Sequence, residues 1–343
     1  MRIAVAVSGV GEDDLAFVLE AERLGADSVW LAEAWGYDAF TPLAYLAART
    51  SRIRLATGIA QLGARTPALL AMSSMSMQAL SGGRFLLGLG TSGPQVMEGW
   101  HGVRFDAPLA MTRETIEILR TITAGERLVH DGAVYPLPLP DSAGRAIRSM
   151  APPVAVPVYL AAMGPKNLAL TGELADGWLA NAFMPETAAA FLEPLAAGAA
   201  RAGRSVADLD IVVPVGVEVT GDEEEAARRH ARGYAFTIGA MGNRTRNFYN
   251  AAFERQGYGD DVRAVQELWL AGDREGAADR VPLDIGRRTN LLGPREVLRE
   301  RIALYRAAGV TTLQAKLTGS LDDRLTTLGT LLELCAEPAG QRG

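Results

Sequence analysis

The stretch Ser51–His101, SRIRLATGIAQLGARTPALLAMSSMSMQALSGGRFLLGLGTSGPQVMEGWH, decides the fold. Ile53–Ile59 reads as an apolar strand, Pro67–Leu80 as a helix opening just after Thr66, and Phe85–Gly90 as a second strand after the turn at Gly82 and Gly83. Strand, helix and strand in succession make one parallel crossover unit. Both strands leave through glycine-bearing loops, Gly58–Arg65 after the first and Gly90–Gln95 after the second. In parallel α/β folds the loops at the carboxyl ends of strands build the active site, so these two loops are the first functional candidates.

Working outward, the same tempo repeats. Arg2–Ser8 is a strand, a helix runs from about Asp13 to Leu24, and Gly25 closes it before the strand Ser28–Leu31. Thr41 is a plausible cap with Pro42 at the first helical position of a helix reaching Arg49. Downstream come a helix Leu109–Thr123, an irregular proline-bearing run Gly125–Pro153, and a strand Val156–Leu160. A helix then leads to Leu174, Gly177–Ala180 is a short strand, and the alanine-rich helix Glu186–Ala202 precedes the valine-rich strand Leu209–Val219. After a helix Glu223–Gly239, the run Asn243–Asn250 and helical pieces Asp260–Leu270 and Arg274–Asp284 form an insertion. Helix Leu298–Ala307, strand Thr312–Leu317 and helix Leu325–Cys335 finish the chain.

Strands near residues 3, 29, 54, 86, 157, 178, 212 and 314 number eight. A closed (β/α)8 TIM barrel explains that count better than an open doubly wound sheet. The expected organisation is one α/β barrel domain over 1–337, with insertions near 125–153 and 240–292 and a flexible tail at 338–343.

Composition narrows the function. The 34 basic and 40 acidic side chains are interspersed and give a net charge of -6, which leaves no basic face for nucleic acid. Cys335 stands alone, no stretch is apolar enough to span a membrane, and a cytoplasmic location is expected. No metal is expected, because His101, His130 and His230 are widely separated and none has a partner at zinc-like spacing. No nucleophile elbow occurs, and Cys335 reads as packing in the terminal helix. A barrel with few intrinsic nucleophiles and glycine-rich rims suits a cofactor that brings the reactive atom itself.

The strand ends supply the candidates. Glu33 and Asp38 follow strand two, Gln61 and Arg65 strand three, Thr91, Ser92 and Gln95 strand four, Lys166 strand five, and Asn181 ends strand six. Glu33 offers an acid or a fixed negative charge. Arg65 could grip a phosphate or carboxylate of a ligand by its fork, or form a salt bridge to a neighbouring acid. Gly88-Leu89-Gly90-Thr91-Ser92-Gly93 lacks the third glycine of a dinucleotide fingerprint, and no helix is expected to begin directly after it. Its glycines instead permit close approach to a flat ring or an anion, with Thr91 and Ser92 as donors.

Five separated motifs together resemble the luciferase-like barrel superfamily, in its actinobacterial branch of coenzyme F420-dependent oxidoreductases related to methylene-tetrahydromethanopterin reductase. They are Glu33–Asp38, Gln61–Pro67, Leu80–Arg84, Gly88–Gln95 with Glu98-Gly99-Trp100, and Gly164–Asn167 with Asp176-Gly177-Trp178. The resemblance implies a deazaflavin across the barrel mouth, with FMN as the alternative cofactor. It also implies a non-prolyl cis peptide at Gly58-Ile59, or at Thr57-Gly58. Cofactor contacts are then expected at Gly58, Ile59, Gly90, Thr91, Ser92 and Gly93, with its phosphate-bearing tail near Ala162, Gly164, Pro165 and Lys166. Glu33 becomes the candidate catalytic group, and Trp35, Asp38, Gln61, Arg65, Gln95 and Asn181 the candidate contacts to a small organic substrate. The aspartate and histidine pair of related sugar-phosphate dehydrogenases is absent here, so glucose 6-phosphate oxidation is not implied. Alternatives are an FMN-dependent luciferase-like monooxygenase and a non-catalytic deazaflavin-binding protein. A homodimer is expected, with Met72, Met75 and Met77 as candidate contacts.

Overall fold

The computed structural model describes residues 1–241 and 247–337; Asn243–Arg246 of the polar run and the 338–343 tail lie outside the described residues. Runs of valine, leucine and alanine form the strands β1 (Arg2–Val7), β2 (Ser28–Leu31), β3 (Arg54–Thr57), β4 (Ala60–Gln61) and β5 (Phe85–Gly90). They continue as β6 (Val158–Ala161), β7 (Gly177–Leu179), β8 (Asp210–Val219), β9 (Leu291–Gly293) and β10 (Thr312–Lys316). The order β10-β1-β2-β3-β5-β6-β7-β8 is closed by pairing of β8 with β10. This is the expected eight-stranded parallel barrel, with β4 added beside β5 and β9 beside the end of β8.

Strands buried on both faces explain the nearly continuous apolar runs. Val5, Val29, Leu55, Leu87, Leu160, Val213 and Leu313 belong to the core between strands and helices. Their neighbours Ala4, Trp30, Ala56, Leu86, Tyr159, Leu179 and Val212 fill the barrel interior. Because side chains alternate at period two, this parity also assigns the inward positions nearer the mouth: Ala6, Gly58, Gly88, Gly90, Ala161, Gly216, Gln314 and Lys316. Most are small, and neighbouring groups pack closely against them: Thr57 at Gly88, Ile59 at Gly90 and His230 at Gly216.

The amino end of the barrel is closed by polar groups. Asp210 accepts from Tyr159 Oη at 3.0 Å and Thr312 Oγ1 at 2.9 Å, is bonded by Thr311, and pairs with Arg2 at 2.7 Å. Arg54 pairs with Asp27 beside this cluster.

Several local expectations change. The apolar run 53–59 is two strands, β3 and β4, interrupted at Gly58 and Ile59. The second helix spans Phe40–Ala47 and is started by Asp38, whose Oδ1 accepts from the Phe40 and Thr41 amides at 2.9 Å each; a carboxylate serving two first-turn amides displaces the start from Thr41. A short helix, Pro94–Met97, does begin directly after Gly93, because Pro94 is preset for a first helical turn. Arg274–Asp284 breaks into Arg274–Arg280 and Leu283–Arg288, since Pro282 has no amide hydrogen to continue the first helix.

Two excursions decorate the barrel. The run between Thr123 and Val158 holds no helix or strand, only the bridge of His130 with Leu137. Glu114 organises it by accepting from the amides of Ala133, Val134 and Tyr135 at 3.0, 3.0 and 2.7 Å. The helices between Glu223 and Arg288 bury Ala231, Ala235, Ile238, Phe253, Val262, Val265 and Ile285 against Ala182 and Met184, which follow β7. The insertion therefore stands at the carboxyl end of the barrel. Among the described residues, no helix is long and apolar enough to cross a membrane.

Candidate active site

The floor of the mouth is made of backbone. The bond Gly58-Ile59 is cis, at the first of the two registers expected. A Cβ on Gly58 would lie 3.2 Å from Trp30 Cβ and 3.7 Å from Gln314 Nε2, so the missing side chain is a matter of space. At Gly90 a Cβ would lie 2.9 Å from Ile59 Cδ1 and 3.5 Å from Ala161 Cβ. Thr57 Oγ1 locks the adjacent strands by donating to the Gly88 carbonyl at 2.7 Å and accepting from its amide at 2.9 Å. Gly58, Ile59, Gly90 and Ala161 thus form one closely packed cradle, in which an added side chain at Gly58 would meet Trp30 and one at Gly90 would meet Ile59. Beyond it Thr91 and Ser92 leave β5, Ser92 with a left-handed φ of 56°, and Gly93 leads into Pro94–Met97.

A charged network walls one side. Arg65 Nη2 lies 2.7 Å from Glu33 Oε1, and Arg65 Nη1 donates to Oε2 at 2.8 Å. Oε2 also accepts from the Gln61 amide at 3.2 Å. The guanidinium lies 4.8 Å from the centre of the Phe40 ring, and Asp38 stands 3.9 Å away. Of the two roles open to Arg65, the salt bridge to an acid is the one present. Both Glu33 oxygens are engaged, so its carboxylate is a fixed anion that holds Arg65 and Gln61.

Gln61 passes the order on. Its Nε2 donates to the carbonyls of Glu33 and Ala34, both at 3.1 Å, which fixes the orientation of the amide. Oε1 therefore faces His101 Nε2 at 2.9 Å and can only accept. His101 Nε2 carries the hydrogen, leaving Nδ1 to the surroundings. In the sequence His101 reads only against metal-ligand spacing; its place one residue beyond the Glu98-Gly99-Trp100 motif is what marks it.

The exit of β6 forms the other side. Ala162 is buried and its carbonyl accepts from Trp178 Nε1 at 2.9 Å. Gly164 precedes the helix Pro165–Leu174, whose first amides point outward as at any helix start. Arg255, from the insertion, donates to the Met163 carbonyl and, at 2.9 Å, to that of Ala251. Burial pushes its guanidinium pKa down. Asn167 Oδ1 is buried there without a partner among the described residues. Arg255 was invisible in the sequence because nothing local ties an inserted helix to the β6 loop.

The structure thus brings Glu33, Asp38, Gln61 and Arg65 together on the β2 and β3 side, and Ala162, Gly164, Pro165 and Lys166 on the β6 side, with Gly58 and Gly90 between. Trp35 is 56% exposed on the rim, and Asn181 follows β7. Gln314 and Lys316 have inward parity on β10, marked in the sequence only by strand alternation.

Comparison with known proteins agrees with this fold. A family model described as luciferase-like monooxygenase matches residues 8–312. A Mycobacterium tuberculosis protein named as a coenzyme F420-dependent oxidoreductase is 41% identical over 305 residues, covering 86% of this chain and 88% of its own. The 5,10-methylenetetrahydromethanopterin reductase of Archaeoglobus fulgidus is 31% identical over 305 residues, 87% of each chain. The solved coenzyme F420-dependent tetrahydromethanopterin reductase of Methanopyrus kandleri superimposes with a TM-score of 0.78 over 96% of each chain at 22% identity, a likeness of fold. With a match running from the end of β1 into β10, the chain belongs to the luciferase-like family of barrel enzymes.

Proposed function

We propose that this protein is an oxidoreductase that passes hydride between coenzyme F420 and a small organic substrate. The observation that carries the reading is the bare glycine backbone at the exits of β3 and β5, Gly58 and Gly90, on the carboxyl face of the barrel, which lets a flat ring approach closely. The F420 names of relatives support the deazaflavin over FMN. The cofactor, when bound, supplies a ring carbon that carries hydride and does not readily activate oxygen.

In this reading Gly58, Ile59, Gly90, Thr91, Ser92 and Gly93 flank the ring. Ala162, Gly164, Pro165, Lys166 and Arg255 receive the anionic tail, through first-turn amides and two cations. Trp35, Asp38, Gln61, Arg65, Gln95 and Asn181 border the substrate. Glu33 serves as the anchor of Arg65 and Gln61, and His101 Nδ1 is the group free to take or give a proton.

Titration of the purified protein with F420 and with FMN, followed by absorbance and fluorescence, tests the assignment. Saturable F420 binding and reduction or oxidation of its chromophore by a substrate are expected. Tight FMN binding without F420 binding would overturn the choice of cofactor. We also propose a homodimer. Met75 and Met77 are only 5% and 2% exposed and pack inside the subunit, but Met72 is 58% exposed and shares an outward face with Leu69 and Leu80. Light scattering should give twice the 36.4 kDa chain mass, and the chain mass itself would refute it.

A further inference from the structure

We propose that Lys316 binds an anionic group, a carboxylate or a phosphate, of the substrate, so that the molecule exchanging hydride here is an anion. The inference rests on the reading of the barrel mouth as the substrate site.

Lys316 ends β10 and pairs in register with Gly216 of β8. Leu313 and Ala315 belong to the core between strands and helices, so Gln314 and Lys316 have the inward parity. Position along the strand makes Gln314 the lower of the two, level with the Gly58 floor that its Nε2 approaches, and Lys316 the upper. Around the barrel, β10 lies four strands from β5 in either direction. Lys316 therefore faces the Gly90 cradle from the opposite wall. The proposed tail exit at β6 is elsewhere on the ring, which leaves the open side of the cradle, where a substrate must stand, as the space before the ammonium.

The flanking inward neighbours of Lys316 are Gly216 and Ala6, neither of them charged. Among the described residues, no hydrogen bond or ion pair is made by Lys316. Of the carboxylates at the strand exits, Glu218 of β8 is bonded to His230 at 2.9 Å and Arg229 at 2.6 Å, Glu33 to Arg65 at 2.7 Å, Asp38 Oδ1 to two helix amides at 2.9 Å, and Asp14, after β1, to Arg324 at 2.9 Å. The side chain is open to solvent, yet the surrounding walls desolvate the ammonium and push its pKa down. A cation held without a counter-ion where charge is disfavoured gains most from an incoming anion.

The sequence adds an independent observation. Of 34 basic side chains, only Lys166 and Lys316 are lysines, and both stand at strand exits of the mouth. Arginine serves every other basic position. A compact ammonium on a flexible stem fits a point contact inside a crowded mouth, whereas the planar fork of arginine suits the surface pairs that dominate elsewhere.

Two lysines make the test direct. Protein labelled with 13C at the lysine ε-carbon gives two side-chain signals, and K166R alone assigns both. Apo and F420-loaded samples are titrated with inorganic phosphate and with benzoate. The expected result is a saturable shift of the Lys316 signal with either anion, its titration midpoint rising by about one pH unit, while Lys166 responds to F420 and little to the added anions. A Lys316 signal indifferent to both anions would reduce it to a solvated lysine and overturn the proposal. A Lys316 signal moved by F420 alone, and unresponsive to anions afterwards, would assign the cation to the cofactor and overturn it equally. F420 uptake is read separately by absorbance. An intact anion response in protein that takes up no F420 would support the Lys316 site while removing the cofactor assignment.

Discussion

Glu33 and Arg65, 32 residues apart in sequence, meet through two nearly parallel contacts of 2.7 and 2.8 Å at the carboxyl ends of β2 and β3. Their side chains are 8% and 16% exposed. Removing one member of such a pair leaves the other with an uncompensated charge in a desolvated place. E33Q and R65Q are each expected to lower stability by about 2–3 kcal/mol, and the double variant by clearly less than the sum. Urea unfolding of the four proteins checks this, and additive losses would show that the pair is not coupled. Turnover of E33Q should fall about 10- to 100-fold through misplaced Gln61 and Arg65, with F420 still bound.

The glycines of the cradle make a second expectation. At Gly58 a side chain meets the buried Trp30 within 3.2 Å, so G58L overfills the barrel interior and should cost about 1–3 kcal/mol as well as F420 affinity. At Gly90 the obstacle is the flexible end of Ile59 at 2.9 Å. G90A should weaken F420 binding with little loss of stability, and I59A should restore room in the double variant. Fluorescence titration with F420 decides it; equal affinity in G90A and the wild type would remove Gly90 from the cofactor site.

The fold was legible because parallel strands buried on both faces leave long apolar runs, and the eight found in sequence are the eight of the barrel. What escaped were features set by tertiary contact. The strand break at Gly58 and Ile59 needs the neighbouring Trp30 and Gly90 to explain it. Asp38 also starts the second helix through its Oδ1, a role that becomes visible only with the helix in place. Glu33, Gln61 and Arg65 were identified one by one from their strand-end positions, but their mutual commitment is visible only once β2 and β3 lie side by side. Arg255 reaches Met163 across 92 residues, a relation no local pattern encodes.

Asp210 makes stability depend on pH. Burial would raise its carboxyl pKa, but hydrogen bonds from Thr311, Thr312 and Tyr159 and the charge of Arg2 outweigh that effect and hold it below the usual range. A folded pKa below the unfolded one contributes stability that is present above the unfolded pKa and lost as pH falls through the folded value. D210N should therefore be less stable than the wild type at pH 7, and the gap should narrow below about pH 4. Urea midpoints across this range test the sign. A gap that stays constant would mean that the charge of Asp210 contributes nothing.

Gln61 is expected to set the tautomer of His101. Because the Gln61 amide is held by two carbonyls at 3.1 Å, only its oxygen is left for the imidazole, which must donate from Nε2 at 2.9 Å. In Q61L that acceptor is gone, and the ring is free to place its hydrogen on either nitrogen. The chain has three histidines, so 15N spectra of the ring nitrogens are readily assigned with H130N and H230N. Wild-type His101 should show a protonated Nε2 and an acceptor-type Nδ1 in its neutral form, and Q61L a mixture of the two tautomers. If Nδ1 of His101 handles the proton that accompanies hydride transfer, Q61L also lowers kcat more than it raises KM, since the ring remains present but is oriented for only part of the time. An Nε2-protonated ring in Q61L would show that another contact fixes the imidazole, and unchanged kcat in the face of a mixed tautomer would remove His101 from the proton path.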